Sequence, residues 1–112
     1  MKEIKAYVHR SRIADVMQAL KESAPFKGRE GAHRHNLTAY VVKGPLKALD
    51  QQEQHYLLDL GDAVIDEYKL ELVCEDADVD ELVSIIKAAA HTGRGICGWV
   101  YVVDVVRAEH IE

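Results

Sequence analysis

Residues 91–106, HTGRGICGWVYVVDVV, carry the strongest indication of the fold. The second half of this stretch, residues 99–106, predicts a strand that is apolar on both sides. One side carries Trp99, Tyr101, Val103 and Val105, and the other carries Val100, Val102 and Val106. An antiparallel sheet with one solvated face alternates apolar and polar residues instead. The pattern therefore favours a sheet covered by helices on one face and by another subunit on the other. The alternative is a strand that is simply rich in apolar residues.

The residues before this stretch predict a strand followed by a helix. Residues 68–74, YKLELVC, form the predicted strand. Asp78 and Glu81 have the spacing of a capping box at the start of a helix. Apolar residues then recur at helical spacing, at Val79, Leu82, Val83 and Ile86. We expect this helix to end at the three alanines 88–90 and Gly93.

The N-terminal half predicts one more strand, a helix and a further strand. Residues 4–8 alternate apolar and polar side chains, which is typical of a strand. Ser11 is the expected N-cap of a helix that ends near Pro25, and the polar residues 27–36 predict a loop. Residues 37–43 predict a strand stopped by Gly44 and Pro45. The order β-α-β-β-α-β indicates an α+β, ferredoxin-like domain with one antiparallel sheet and both helices on one face.

The connection between the second and third predicted strands, residues 44–66, has 23 residues. Hairpin connections usually have about 2–5 residues, and loops beyond about 12–15 are usually functional or disordered. This one is too apolar for a solvated linker, with Leu46, Leu49, Tyr56, Leu57, Leu58, Leu60 and Val64. We expect it to dock on a partner. Residues 54–60 are alternatively an extension of the strand.

The composition indicates one globular domain that spans residues 1–112. It is 48% hydrophobic and 29% charged. A domain of this size buries only about two thirds of its unfolded surface, so association with further copies would help to stabilise it. The net charge of −5 provides no basic field for phosphate backbones, which argues against nucleic acid as a partner.

Membrane insertion and disulfide bonding are not expected. No apolar run approaches the about 20 residues that span a bilayer, and residues 1–4, MKEI, lack the apolar core of a signal peptide. Two cysteines, Cys74 and Cys97, are too few for a disulfide framework. We therefore expect a cytoplasmic protein.

The element order, the long connection and several short motifs together resemble the PII family of signalling proteins. The motifs are MKEI at residues 1–4, VKG at 42–44, KLELV at 69–73 and HTGRGICGWVYV at 91–102. The resemblance covers nearly the whole chain. It implies a non-enzymatic regulatory protein, built as a compact trimer with adenine nucleotides in the three clefts between subunits. It also implies that the long connection is a "T-loop" that regulates a partner, often a membrane transporter.

The resemblance further implies which residues contact the nucleotide. The positions that match contacts to adenine and ribose are Thr38, Glu71 and Val73. The positions that match the start of the T-loop and a phosphate contact are Lys43, Gly44 and Gly98.

The residues after the second predicted helix can also hold an anion on physical grounds. A Thr92-Gly93 pair followed by Gly95 and Gly98 leaves backbone N–H groups accessible to a phosphate. Arg94 and Arg107 can neutralise the phosphate through charge-assisted hydrogen bonds. The alternative is that the first of these glycines only ends the helix and the other two only form a turn.

Several positions depart from the family pattern. Cys97 replaces an Asp, Trp99 replaces a phosphate-binding Lys, and His110 and Glu112 replace two C-terminal arginines. Ala48 replaces a Gln that completes the site for magnesium nucleotide and 2-oxoglutarate. Fewer cations weaken the site most for the most highly charged ligand, because each charge-assisted contact is worth about 1.5–3 kcal/mol. We therefore expect ADP or AMP to be favoured over ATP, with Trp99 and His110 kept as nucleotide-binding positions.

Two segments point to a narrower branch of the family. Residues 53–61, EQHYLLDLG, and 69–76, KLELVCED, are similar to divergent PII-like proteins of inorganic-carbon metabolism, including carboxysome-associated ones. This similarity implies bicarbonate as a second ligand. Lys43 and Lys47 are the candidate residues for that second anion.

Other functions remain as alternatives. His33 and His35 form the best local pair for a metal, as in the trimeric ferredoxin-like proteins linked to divalent-cation tolerance, yet their spacing matches no zinc module. We therefore predict no metal and no other cofactor. A nitrogen-regulatory PII protein is the second alternative. No catalytic constellation is evident, so we predict that the protein is not an enzyme. Cys97 beside Arg94 is a candidate redox-sensing thiol, with a bystander thiol as the default.

Overall fold

The computed structural model describes residues 1–27, 37–44, 55–58, 62–93 and 95–112. In chain order its elements are β1 (Lys2–Val8), α1 (Ile13–Glu22), α2 (Ala24–Lys27), β2 (Thr38–Gly44), β3 (His55–Leu57), β4 (Asp62–Cys74), a 3-10 turn (Asp76–Asp78), α3 (Val79–Ala90) and β5 (Trp99–Asp104). The predicted order and the α+β class are confirmed, and the short elements α2 and β3 are additional.

The main sheet is antiparallel and has the strand order β2-β4-β1-β5. Ile4 in the central strand β1 lies opposite Leu72 of β4 and Val102 of β5. Among the strands described, β2 and β5 form the two edges of this sheet. The short strand β3 pairs with the first residues of β4, 62–64. The candidate residues that lie on strands are therefore distributed over three of them, β2, β4 and β5.

The core lies between one face of the sheet and the two long helices. It is formed by Ile4, Ala6, Val8, Leu70, Leu72 and Cys74 from the sheet and by Val16, Leu20, Leu82 and Ile86 from α1 and α3. The helical residues are spaced four apart in each helix, so each pair lies on one helix face. Full burial of one such aliphatic side chain contributes about 1.5–3 kcal/mol. This layer holds both helices on the same face of the sheet, as predicted.

The opposite face, which we call the open face, carries different chemistry from strand to strand. In register it bears Glu3, Lys5, Tyr7, Tyr40, Lys69, Glu71, Trp99, Tyr101 and Val103. Among the strands that the structure describes in this sheet, β5 alone is apolar on this face throughout, with Trp99 61% exposed. The middle strands place charged residues there instead. The predicted two-sided apolar pattern is therefore confirmed for β5 and does not extend across the sheet.

Both predicted helix caps are wrong in their hydrogen bonds. Arg12, rather than Ser11, stands at the N-cap of α1 and makes no side-chain capping bond. The hydroxyl of Ser11 lies 2.7 Å from Nδ1 of His9, and the backbone N–H of Ser11 donates to the same nitrogen at 3.1 Å. Asp78 does occupy the N-cap of α3, but without a side-chain capping bond. In both places another local arrangement, the imidazole or the 3-10 turn, replaces the cap.

The bounds of α1, β4 and β5 differ most from the prediction. Helix α1 ends at Glu22, where the hydroxyl of Ser23 donates to the carbonyl oxygen of Leu20 at 2.6 Å, and Pro25 belongs to α2. Strand β4 starts at Asp62 instead of residue 68, because pairing with β2 and β3 stabilises its polar beginning. Strand β5 ends at Asp104 instead of residue 106.

The long connection is consequently shorter than predicted, at residues 45–61, and it contains β3. The alternative that residues 54–60 extend a neighbouring strand is wrong, because His55–Leu57 form a separate short strand that pairs with β4. The loop predicted at residues 27–36, apart from its first residue, lies outside the described residues, and so do Leu46, Leu49 and Leu60 of the connection. None of the described helices is long and apolar enough to cross a membrane.

Candidate functional site

A first group of predicted residues lies where β2 pairs with β4. Thr38 is opposite Glu71 in the register, and its hydroxyl donates to the backbone carbonyl oxygen of Glu71 at 3.5 Å. Val73 follows two residues later and therefore shares the open face with Glu71. The structure thus brings together the three residues expected to contact adenine and ribose.

The carboxylate of Glu71 is held by two neighbours on the same face. Its Oε1 accepts a short hydrogen bond from the hydroxyl of Tyr40 and lies 3.4 Å from Nζ of Lys5. The hydrogen bond from Tyr40, supported by the ammonium of Lys5, lowers the pKa of Glu71, although burial acts in the opposite direction. The same bond raises the pKa of Tyr40. Glu71 is therefore a fixed, ionised hydrogen-bond acceptor on the open face.

A second group lies in the turn between α3 and β5. Gly93 and Gly95 have φ of 80° and 82°, a left-handed conformation that favours glycine. Gly98 is needed for another reason, since a Cβ at this position would lie 2.2 Å from the carbonyl oxygen of Tyr7. All three glycines therefore have a backbone role, so their presence by itself does not indicate an anion site.

This turn forms one wall of a mostly apolar cleft of about 200 Å³. The cleft lies between the last turns of α3, the end of β1 and the start of β5, and Gly95, Gly98 and Trp99 are among its lining residues. Its polar lining groups are His9, Lys87, His91 and Cys97. None of the first group, Thr38, Glu71 and Val73, lines it.

Two side chains next to this cleft satisfy the end of α3. Nε of Arg12 donates to the carbonyl oxygen of Ala89 at 2.9 Å, and the thiol of Cys97 donates to that of Ala90 at 3.7 Å. The last carbonyl groups of a helix have no partner within it, so these contacts supply one. They also fix the position from which the turn to β5 begins.

Trp99 begins β5 as part of an aromatic cluster on the open face. Its ring stacks on that of Tyr7, with centroids 5.9 Å apart and planes 9° from parallel, and lies 5.3 Å from the ring of Tyr101. Nζ of Lys69 is 5.4 Å from the ring centroid of Tyr7. The position where the resemblance implies a phosphate-binding cation thus bears an aromatic ring.

Two of the predicted cations are paired with carboxylates of the same chain. Nζ of Lys43 lies 2.8 Å from Oδ1 of Asp66, and Nη2 of Arg107 lies 2.5 Å from Oε2 of Glu109. Exposed pairs of this kind are worth about 0–1 kcal/mol, so a phosphate can displace the carboxylate. His110 is exposed in the segment after β5, and Thr92 is half-buried two residues after the end of α3. Arg94 and Lys47 lie outside the described residues.

The comparison with known families agrees with this arrangement over the full length of the chain. A family model described as nitrogen regulatory protein P-II matches residues 1–112. The chain belongs to the PII family. No curated protein sequence matches it. PII proteins are regulatory proteins that form trimers and bind adenine nucleotides and partner proteins, so this chain is a regulatory signalling protein.

The two cysteines of this PII protein lie in different environments. Cys74 is buried in the core, and burial raises its pKa to about 11. Cys97 is half-buried beside the cleft. Both are free thiols. The redox role of Cys97 stays a prediction.

The metal-binding alternative finds no support in the part of the chain that the structure describes. There, no group of three or more His, Cys, Asp or Glu side chains is arranged to hold a metal ion. His33 and His35 lie outside the described residues.

Sequence analysis missed the residues that surround the predicted ones. Tyr40 and Lys5 hold Glu71, and Tyr7 supports both Gly98 and Trp99. The alternation in residues 4–8 does place Lys5 and Tyr7 on one side of the strand. It gives no information on which strands pair, and pairing decides these contacts.

Proposed function

We propose that this PII protein is a homotrimeric, non-enzymatic sensor of adenine nucleotides whose sites lie between neighbouring subunits. The supporting observation is that the two groups of candidate residues lie towards opposite edges of one sheet. Thr38 is on edge strand β2 and Trp99 is on edge strand β5, three strand spacings or about 14 Å apart. A neighbouring subunit that brings its β5 edge to the β2 edge of the first completes the site.

The middle of the open face supports a shared site for a second reason. The side chains of Lys5, Tyr7 and Lys69 occupy the space between the two groups. These side chains keep the two groups of one subunit from closing around a common ligand. Beyond β5, Val106 and Ile111 are fully exposed, which fits contact with another copy of the chain.

The charges of the second group favour ADP or AMP over ATP. Trp99 contributes a ring in place of a cation, Glu112 adds a carboxylate, and Arg107 must first leave Glu109. Each additional phosphate on the ligand adds negative charge that this site compensates poorly, because charge-assisted bonds are the strong contacts to phosphate. The preference follows from this deficit of cations.

The base of the T-loop offers a way to couple ligand to output. Lys43 and Asp66 lie opposite each other in the register, and their ion pair joins the strands that flank the loop. A bicarbonate or phosphate bound by Lys43 and Lys47 competes with Asp66 for the Lys43 ammonium. The loop then changes its exposure to a partner, which we propose is a membrane transporter or a protein of inorganic-carbon metabolism in the cytoplasm. Nitrogen regulation, which the description of the matched family favours, is the second candidate.

Mixing two variants tests the shared site. One carries Thr38→Val and Glu71→Gln at the β2 side, and the other carries Arg107→Ala and His110→Ala beyond β5. Each homotrimer alone is expected to bind ADP weakly. After subunit exchange, about a quarter of the clefts combine two intact sides, because each side is intact in half of the subunits. Calorimetry should then detect that fraction at wild-type affinity. No recovery after verified exchange would show that the site is not shared.

A further inference from the structure

The hydrogen bonds to Glu71 are distributed unevenly over its two carboxylate oxygens. The hydroxyl of Tyr40 and the ammonium of Lys5 both contact Oε1. Among the residues that the structure describes, no contact to Oε2 accompanies them. The Glu71 side chain is 22% exposed, so part of it can be reached from the open face. One oxygen is therefore anchored and the other is presented.

An ionised carboxylate only accepts hydrogen bonds, so Oε2 selects a ligand that has an O–H or N–H donor at this point. An adenine nucleotide has two kinds of donor, the two ribose hydroxyls and the exocyclic amine of the base. A carboxylate that accepts from a ribose hydroxyl is a recurrent device in nucleotide-binding proteins. Thr38, directly opposite Glu71, adds a hydroxyl on the β2 side of the same point.

We propose that Tyr40 is a positioning residue for nucleotide recognition: by anchoring Oε1 of Glu71, it directs Oε2 to a hydroxyl or amine donor of the ligand. This inference rests on the proposed nucleotide-sensing function. The terminal torsion of a glutamate side chain is broad, so an unanchored carboxylate rotates freely. Without Tyr40, Lys5 can draw either oxygen of Glu71 towards itself. Anchoring in advance reduces the conformational entropy that is lost when the ligand binds.

Lys5 alone does not supply this orientation. It lies between two carboxylates, with Nζ 3.3 Å from Oε1 of Glu3 and 3.4 Å from Oε1 of Glu71. A flexible ammonium shared between two acids provides charge but little direction. Tyr40 has a rigid ring, and its single hydroxyl fixes one oxygen of Glu71 in place.

The first test compares two Tyr→Phe variants that each lack one hydroxyl. Tyr40→Phe should weaken ADP binding in calorimetry by about three- to tenfold, the range for one hydrogen bond. Tyr68→Phe is the matched control, because Tyr68 lies in β4 on the opposite face of the sheet. It should bind ADP as the wild type does.

Two ligand analogues then identify the donor. 2′-Deoxy-ADP lacks one ribose hydroxyl, and inosine diphosphate has an oxygen in place of the exocyclic amine. The wild type should bind one of them more weakly than ADP, and that penalty should shrink in Tyr40→Phe, because coupled groups give non-additive effects. A pH series adds a third readout. Because the bond from Tyr40 lowers the pKa of Glu71, Tyr40→Phe should lose ADP affinity at a higher pH during acidification than the wild type does.

The outcomes separate this inference from the function on which it rests. Suppose that the wild type binds ADP and that Tyr40→Phe matches it in ADP affinity, in the analogue penalties and in the pH at which affinity is lost on acidification. The positioning role is then refuted and the nucleotide site remains. Suppose instead that Tyr40→Phe loses affinity equally for ADP and both analogues, with no change in the pH at which affinity is lost. That result would show that Tyr40 only supports the sheet, and it would also refute the positioning role. If the wild type binds no adenine nucleotide, the proposed function itself fails. The proposal is supported if Tyr40→Phe shows a smaller analogue penalty and loses ADP affinity at a higher pH than the wild type does.

Discussion

The ring of Trp99 stacks on the ring of Tyr7, with centroids 5.9 Å apart and planes 9° from parallel. The two residues are also paired in the register between β5 and β1. Directly before Trp99, Gly98 approaches the carbonyl oxygen of Tyr7 so closely that a Cβ would not fit. Tyr7 therefore fixes both the backbone and the aromatic ring at the start of β5, beside the cleft.

Trp99 is the only tryptophan of the chain and reports on this place directly. In a single subunit it is 61% exposed, and a ligand in the adjoining cleft would cover part of it. We expect ADP to shift its fluorescence emission to shorter wavelength and to protect it from acrylamide quenching. Cytidine diphosphate, with the same phosphates and another base, is the control ligand. Saturable ADP binding by calorimetry without any change in emission would place the nucleotide away from Trp99.

A second prediction concerns the trimer and uses two adjacent valines. Val103 lies on the open face opposite Glu3, and Val102 lies on the helix face opposite Ile4, with exposures of 37% and 39%. Val103→Glu places a carboxylate beside Glu3 on the surface that the trimer would cover. We expect it to convert a trimer of about 38 kDa, three times 12.6 kDa, into folded monomers in sedimentation.

The matched variants for this prediction are Val102→Glu and Val103→Thr. Val102→Glu adds the same charge next to the core, so it should lower the free energy of unfolding and leave the trimer assembled. Val103→Thr keeps the shape of the side chain without a charge and should remain trimeric. A wild type that sediments as a monomer at micromolar concentration would contradict the shared nucleotide site.

The turn before β5 gives a third prediction, on stability. Gly98→Ala forces a Cβ against the Tyr7 carbonyl, a contact between two backbone segments that cannot rotate away. We expect the free energy of unfolding to fall by about 3 kcal/mol in denaturant titrations. Gly93→Ala is the control, since no atom lies within 4 Å of its Cβ and only the left-handed φ opposes the change. Its expected cost is about 1 kcal/mol, and equal losses for both would refute the close-approach argument.

The order of the elements could be predicted from the sequence because apolar residues recur at a regular spacing in each long element. Val16 and Leu20 in α1, and Leu82 and Ile86 in α3, lie in the core as their spacing predicts. The start of β4 was missed because Asp62, Asp66 and Glu67 interrupt its apolar pattern. Pairing with β2 and β3 stabilises the strand there instead. Local patterns do not contain such pairing partners.

The sequence indicated which residues belong to the candidate site, but it did not indicate which neighbours contact them. Glu71 came from resemblance to a family, and Thr38 proved to lie directly opposite it. Tyr40 contacts Glu71 diagonally across the pairing of β2 with β4. The spacing of residues along the sequence does not show which strands pair, so this contact could not be predicted. The two helix caps failed for a related reason, because the His9 imidazole and the 3-10 turn compete with local cap geometry.

A fourth prediction tests the loop as the output of the sensor. If ligand reorganises the T-loop through Lys43 and Asp66, hydrogen exchange at residues 46–60 should slow most with nucleotide and bicarbonate together and less with either alone. A tenfold preference of the ligand for one loop state corresponds to about 1.4 kcal/mol. Lys43→Ala should abolish the bicarbonate effect, whereas Lys21→Ala, on α1, should not. Identical exchange in all four conditions would leave the loop without a sensing role.

Nucleotide sensing is decided by calorimetric titration of the wild-type protein with AMP, ADP and ATP, each with and without bicarbonate. We expect saturable binding with one nucleotide per subunit. We further expect ADP or AMP to bind at least as tightly as ATP, because Trp99, His110 and Glu112 leave the phosphates short of cations. No binding of any adenine nucleotide would contradict the sensing function, and ATP binding far more tightly than ADP would contradict the cation-poor phosphate site.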